Sequence, residues 1–115
     1  MSIYDLENRT YKFAYEIRAL IRKIPKTIAN NEDAKQLIRS SWSVGANYIE
    51  ANESLSKKDF KYRIKVCRKE AKESRYFLRL LYIIDTNIEK DKNNLVQEAF
   101  ELTKIFGAIL KKWIH

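Results

Sequence analysis

Apolar residues recur along the chain at alternating steps of three and four, in four stretches separated by short polar segments. In the first stretch, about residues 5–24, Ile3, Leu6, Thr10, Phe13, Ile17, Leu20 and Ile24 fall on one side of a helix. Pro25 ends it, because the residue before a proline is pushed out of the α region. Asn30 followed by Asp33 has the form of an N-cap with an acidic third position, which predicts a second helix over about 31–53. That helix turns Ala34, Leu37, Ile38, Ser41, Val44, Gly45, Tyr48, Ile49 and Leu55 inward. Gly45 costs up to about 1 kcal/mol of helix propensity, which a close helix–helix approach would offset.

Ser56 and Asp59 form another capping pair, and the longest helix follows over about 57–84. Its seam is Phe60, Ile64, Cys67, Ala71, Ser74, Leu78 and Leu81, widened by Val66, Phe77, Leu80 and Ile84. The polar run from Asp85 to Lys92 reads as a loop. A fourth helix, about 94–114, buries Leu95, Ala99, Leu102, Phe106, Ile109 and Trp113. Connections this short place consecutive helices antiparallel, and each helix alone is marginal in water. The expectation is an all-α chain, a single domain over 1–115 folded as an up-down-up-down antiparallel four-helix bundle. Two Gly and one Pro leave little room for the turns of an all-β alternative.

Charge changes the picture most on the third helix. Of 23 Lys and Arg in the chain, ten lie between Lys57 and Arg79, against three of the 15 Asp and Glu. That helix therefore carries nearly all of the net charge of +8. Lys58, Lys61, Lys65, Arg68, Lys72, Arg75 and Arg79 repeat at three–four spacing and form a stripe nearly opposite the buried seam. Like charges in a row repel by a few tenths of a kcal/mol per neighbouring pair, so the stripe wants anionic company. One reading is nucleic acid, with affinity falling steeply as salt rises. Others are a solvated face, a face paired with acidic residues of another helix or subunit, and an acidic protein or membrane partner.

On the first helix Tyr4, Tyr11, Tyr15, Arg18 and Arg22 point away from the apolar seam. Aromatics with arginines can stack on bases, and they are also what protein–protein interfaces favour. The interface reading is preferred, because so many such residues on one outward face are unusual for a monomer.

Candidate chemistry is sparse. Glu70 projects toward the middle of the third helix's buried face and Glu73 lies at its edge. A carboxylate there needs partners or a proton, and a structural ion pair or hydrogen-bond network is favoured over acid–base catalysis, since no nucleophile, metal cluster or phosphate loop accompanies the pair. Cys67 sits on the apolar seam as a small core residue, and with His115 as the only histidine no zinc site or Cys–His dyad is expected. No enzyme, cofactor or metal is therefore expected. A single cysteine permits no intrachain disulfide, the opening residues lack the form of a signal peptide, and no apolar run is long enough to span a bilayer; a cytoplasmic protein without membrane contact is expected.

Three segments carry a family resemblance: Ser43-Val44-Gly45-Ala46-Asn47-Tyr48-Ile49-Glu50-Ala51, then Ser56 with Asp59-Phe60, then Lys69-Glu70-Ala71-Lys72-Glu73-Ser74-Arg75-Tyr76-Phe77-Leu78. Together they resemble the four-helix bundle proteins encoded in intervening sequences of bacterial 23S ribosomal RNA genes, a family similar to the accessory variability protein of diversity-generating retroelements. Asn47, Glu50 and Glu73 match the family pattern, and Ala51 stands where that pattern commonly has Gly. The resemblance implies a protomer that assembles into a homo-oligomeric ring, commonly a pentamer, with a basic surface suited to RNA or DNA. Asn47 and Glu50 point off the second helix's seam and are assigned, with the helix 1 tyrosines and Arg18, to contact with a neighbouring helix edge or subunit. The expected function is a non-enzymatic, homo-oligomeric scaffold that binds nucleic acid through the third helix. The alternative is an adaptor that docks an acidic protein such as a polymerase subunit.

Overall fold

In a computed structural model, which describes residues 2–112, the chain forms α1 (Ile3–Ile21), α2 (Ile28–Asn52), α3 (Lys57–Leu80) and α4 (Thr86–Lys112). Trp113, His115 and the expected end of the last helix at 114 lie outside the described residues. Each helix packs antiparallel on the next and α4 returns to α1, closing a four-helix bundle 46 × 24 × 20 Å across. The α2–α3 and α3–α4 seams carry most of the contact, and α1–α4 is the thinnest.

The core is built from the stripes that the spacing marks. Leu6, Thr10, Phe13, Ile17, Leu20 and Ile24 are buried from α1 and its C-terminal extension, and Ile64, Cys67, Ala71, Ser74, Leu78 and Leu81 from α3 and its cap. Leu37, Val44 and Tyr48 from α2 meet Leu95, Ala99, Leu102 and Phe106 from α4 in the same cluster. Gly45 brings α2 against α1: a Cβ there would sit 3.1 Å from the Thr10 hydroxyl. Five apolar residues depart from the expected inward placement, with Ile3, Ile49, Leu80, Ile84 and Leu55 exposed, Leu55 completely so at 101%.

Helix ends differ from the pattern in ways the caps explain. Ser2 and Asp5 form a reciprocal capping box, so α1 starts at Ile3 rather than about residue 5. It stops at Ile21, not 24, with Arg22 as its C-cap. The N-cap of α2 is Thr27, whose hydroxyl accepts from the Asn30 N–H at 3.0 Å; Asn30 lies inside the helix, not before it. Ser56 caps α3 as the spacing predicts, its hydroxyl accepting from Asp59 N–H at 3.1 Å. That helix ends at Leu80 rather than 84, because Leu81 is extended (φ −61°, ψ 132°) and turns its side chain back into the core.

The largest correction is at α4. The run from Thr86 to Lys92 is helical, not a loop. Asp85 opens it, its side chain accepting from the N–H groups of Asn87 at 2.8 Å and Ile88 at 3.2 Å. Lys92, buried despite its charge, donates from Nζ to the Leu81 carbonyl at 3.3 Å and pairs with Glu89. It thereby ties the first turns of α4 to the end of α3.

Candidate functional site

The buried face of α3 turns its opposite side outward, and the cations of the stripe stand there. Lys58, Lys65, Arg68, Lys72 and Arg79 are exposed; Lys61 and Arg75 are half-buried, Arg75 against Phe100 of α4. Ion pairs among the described residues use Glu16, Glu32, Glu70, Glu73, Glu89, Asp91, Glu98 and Glu101, and none includes a stripe cation. Of the three carboxylates on α3, Glu70 and Glu73 face Arg39 at the other edge of the helix, and Asp59 lies in the first turn, where its backbone N–H donates to the Ser56 cap. A row of uncompensated cations along a helix of 24 residues, about 36 Å long, is the dominant electrostatic feature of this side.

Two surface clefts open along the stripe. The first, about 570 Å³, lies among Lys57, Lys58, Lys61, Tyr62 and Lys65. The second, about 300 Å³, lies between α3 and α4 among Lys72, Arg75, Tyr76, Arg79, Phe100 and Thr103. In the second, the Arg75 guanidinium sits 5.3 Å from the centre of the Phe100 ring, and Lys104 Nζ approaches the same ring at 5.2 Å. Arg75 Nε is buried and has no hydrogen-bond acceptor. Tyr62, Tyr76, Phe100 and Lys104 were not marked by the charge pattern. Tyr76 could have been, since it lies four residues after Lys72 and three before Arg79; Phe100 comes from another helix and carries no such signal.

Glu70 is buried at 3% exposure, on the α2 side of α3. It accepts from Arg39 Nη1 at 3.1 Å, with Lys69 Nζ at 3.7 Å, while Arg39 Nη2 donates to Glu73 at 2.9 Å. One arginine of α2 thus bridges both carboxylates, and its own pKa is raised, first by the hydrogen bond to Glu73. Cys67 lies in the core with its thiol toward the Val44 carbonyl at 3.4 Å, and burial pushes its pKa up to about 12. At neutral pH that sulfur is a protonated core group rather than a nucleophile. Among the described residues no group of three His, Cys, Asp or Glu could hold a metal, and no helix is long and apolar enough to cross a membrane.

The residues assigned to subunit contact divide. Tyr4, Tyr11 and Tyr15 are exposed along α1, the last two rings stacked at 6.2 Å, and Arg18 is half-buried beside them. From α2, Trp42 and Ile49 join this face, which the sequence reading did not include; with Thr10, Tyr11 and Gly45 they border a groove of about 260 Å³. Asn47 is engaged within the protomer: it donates to the Ser43 carbonyl at 2.8 Å and accepts from Arg63 Nη1 of α3 at 3.0 Å. Glu50 is exposed.

Among curated proteins none matches the chain. Among solved structures it is similar to a protein of unknown function from the S23 ribosomal protein family of Bacteroides thetaiotaomicron, at 27% identity and a TM-score of 0.76, covering 91% of this chain and 97% of that one. The model of the 23S rRNA-intervening sequence proteins matches residues 4–108, and the chain belongs to that family.

Proposed function

We propose that this protein is a non-enzymatic, homo-oligomeric scaffold that binds nucleic acid along α3. The observation that carries the reading is the stripe itself: Lys58, Lys61, Lys65, Arg68, Lys72, Arg75 and Arg79 share one side of one helix, and among the described residues no carboxylate is paired to any of them. A polyanion with regularly spaced charges suits such a row better than an isolated acidic side chain, and release of its counterions supplies the affinity. Reversing Lys65, Arg68 and Lys72 together to Glu tests this. These side chains are exposed, so the variant folds, and it loses retention of RNA and DNA. Unchanged binding defeats the proposal.

Self-assembly is the second half of the reading and rests on a different face. Exposed Tyr4, Tyr11 and Tyr15 on α1, with Trp42 and Ile49 on α2, make an aromatic surface of the composition that protein interfaces favour. A pentameric ring is the assembly proposed from the family. Light scattering that returns a protomer mass of 13.7 kDa at micromolar concentration contradicts it. The competing adaptor reading, in which the stripe docks an acidic protein, predicts a pull-down that survives nuclease treatment.

A further inference from the structure

The α3–α4 cleft holds more than charge. A phosphate needs only cations and N–H groups, yet this cleft is also lined by two aromatic residues, Tyr76 and Phe100. Tyr76 is 61% exposed and is held by an edge-on contact with Phe77, the ring centres 5.4 Å apart at 80°. Phe100 is 41% exposed, far more than a ring of its size needs to be on a bundle that buries Phe13 and Phe106 fully. The Arg75 guanidinium lies over the Phe100 ring, 5.3 Å from its centre, and among the described residues it has no carboxylate partner and no acceptor for its buried Nε. Lys72 and Arg79 stand one helical turn either side of Tyr76 and flank the opening. Flat apolar walls with cations at the rim fit a flat ring that carries an anion beside it.

We propose that this cleft takes an unpaired nucleotide, the base stacking on Tyr76 and packing against Phe100 and the Arg75 guanidinium that lies over it, while its flanking phosphates meet Lys72 and Arg79, so that the protein prefers single strands to duplex. The inference rests on the nucleic-acid reading above and narrows it to a substrate class. In a duplex the faces of the bases are occupied by their neighbours, and only their edges reach the grooves. Tyr76 and Phe100 sit against helix walls, not at the tip of a wedge, and have nothing to stack on there. A single strand exposes its bases and its phosphates together, and aromatic platforms beside cations are how such strands are held. The pairing recurs at Tyr62, 59% exposed among Lys58, Lys61 and Lys65. That second station lies fourteen residues before Tyr76 on the same helix, about 21 Å away, so one strand laid along the stripe passes both.

The test measures binding of a short mixed-sequence single-stranded RNA, and of the duplex of the same sequence, by fluorescence anisotropy at one salt concentration. Wild type is expected to hold the single strand more tightly. In Tyr76→Ala/Phe100→Ala, single-strand affinity falls about tenfold or more while duplex affinity changes less than about twofold. The retained duplex affinity shows that the loss does not come from unfolding, and Tyr76→Trp, which keeps an aromatic face, retains single-strand affinity. If the double variant leaves single-strand affinity unchanged, or weakens both ligands equally, the stacking site is overturned, while the charge reading stands provided reversal of Lys65, Arg68 and Lys72 still abolishes binding. If wild type holds neither ligand, both fall.

Discussion

Asn30 and Tyr82 join the two loops at one end of the bundle. The Asn30 side chain accepts from the Tyr82 N–H at 2.9 Å and donates to the Tyr82 carbonyl at 2.9 Å, imitating a strand partner for one residue of extended chain. Its amide also donates to the Pro25 carbonyl at 3.0 Å. Fully buried, Asn30 thus satisfies three backbone groups that the chain leaves open where α1 ends and α3 ends.

Asn30→Ala is expected to remove all three bonds and to cost about 1–3 kcal/mol, since each hydrogen bond lost from a partly buried group costs on the order of 1 kcal/mol or less. Asn30→Asp is expected to fare no better, because a carboxylate turns an acceptor toward the carbonyls of Pro25 and Tyr82. A urea denaturation midpoint that falls with unchanged slope checks this; a midpoint within error of wild type refutes it.

The two glycines should respond to alanine with opposite signs. At Gly45 the new Cβ meets Thr10 Oγ1 at 3.1 Å, and that hydroxyl is held by bonds to the Leu6 and Glu7 carbonyls, each 3.0 Å. At Gly107 the nearest atom is the flexible Arg68 Cδ at 4.0 Å. Gly107→Ala is therefore expected to gain up to about 1 kcal/mol of helix propensity, and Gly45→Ala to lose about as much through the forced separation of α1 and α2. Paired thermal melts of the two variants check the signs.

Arg39 is half-exposed, so its removal costs less than the loss of a fully buried ion. Arg39→Ala is expected to cost about 1–2 kcal/mol, mostly by leaving the Glu70 carboxylate buried without its guanidinium. Adding Glu70→Gln should recover part of that cost, a coupling that a double-mutant cycle reads directly.

Cys67 gives the protein an alkaline limit. Its thiol is raised from an ordinary 9.0 to about 12 in the fold, so the folded state holds its proton more tightly than the unfolded chain does. That contribution is whole below pH 9 and is lost as pH climbs from there toward 12. Between about pH 8 and pH 10, wild type should lose roughly 1.4 kcal/mol relative to Cys67→Ala. Parallel urea titrations of both proteins check it, and equal slopes against pH would contradict it.

The heptad-like spacing carries the bundle because burial of one face is what each helix needs, and Phe13, Ile17, Leu37, Ile64, Leu78 and Phe106 all lie where it points. Ends were less legible. Thr27, Asn30 and Asp33 are all competent caps by residue type, and the choice of Thr27 depends on Asn30 being recruited by Tyr82, a contact 52 residues away. The first turns of α4 look like loop because they bury little: Lys92 goes inside only to reach the Leu81 carbonyl. Leu55 follows the helical register but falls after the C-cap at Glu53, so the register no longer applies. For the candidate site, the cation stripe was visible as spacing on one helix. The aromatic wall was not, since it joins Tyr76 of α3 to Phe100 of α4, and Arg75's unsatisfied nitrogen is a property of packing alone.

The salt dependence of nucleic-acid affinity tests the central claim most directly. With about six phosphates neutralised along a single strand, raising salt from about 50 to about 200 mM should weaken wild-type binding roughly 300-fold, and the log–log slope should shrink by about two when Lys65, Arg68 and Lys72 are replaced by alanine. An affinity that barely moves over that range, or a slope untouched by those three substitutions, would mean that the cations of α3 face something other than a phosphate backbone.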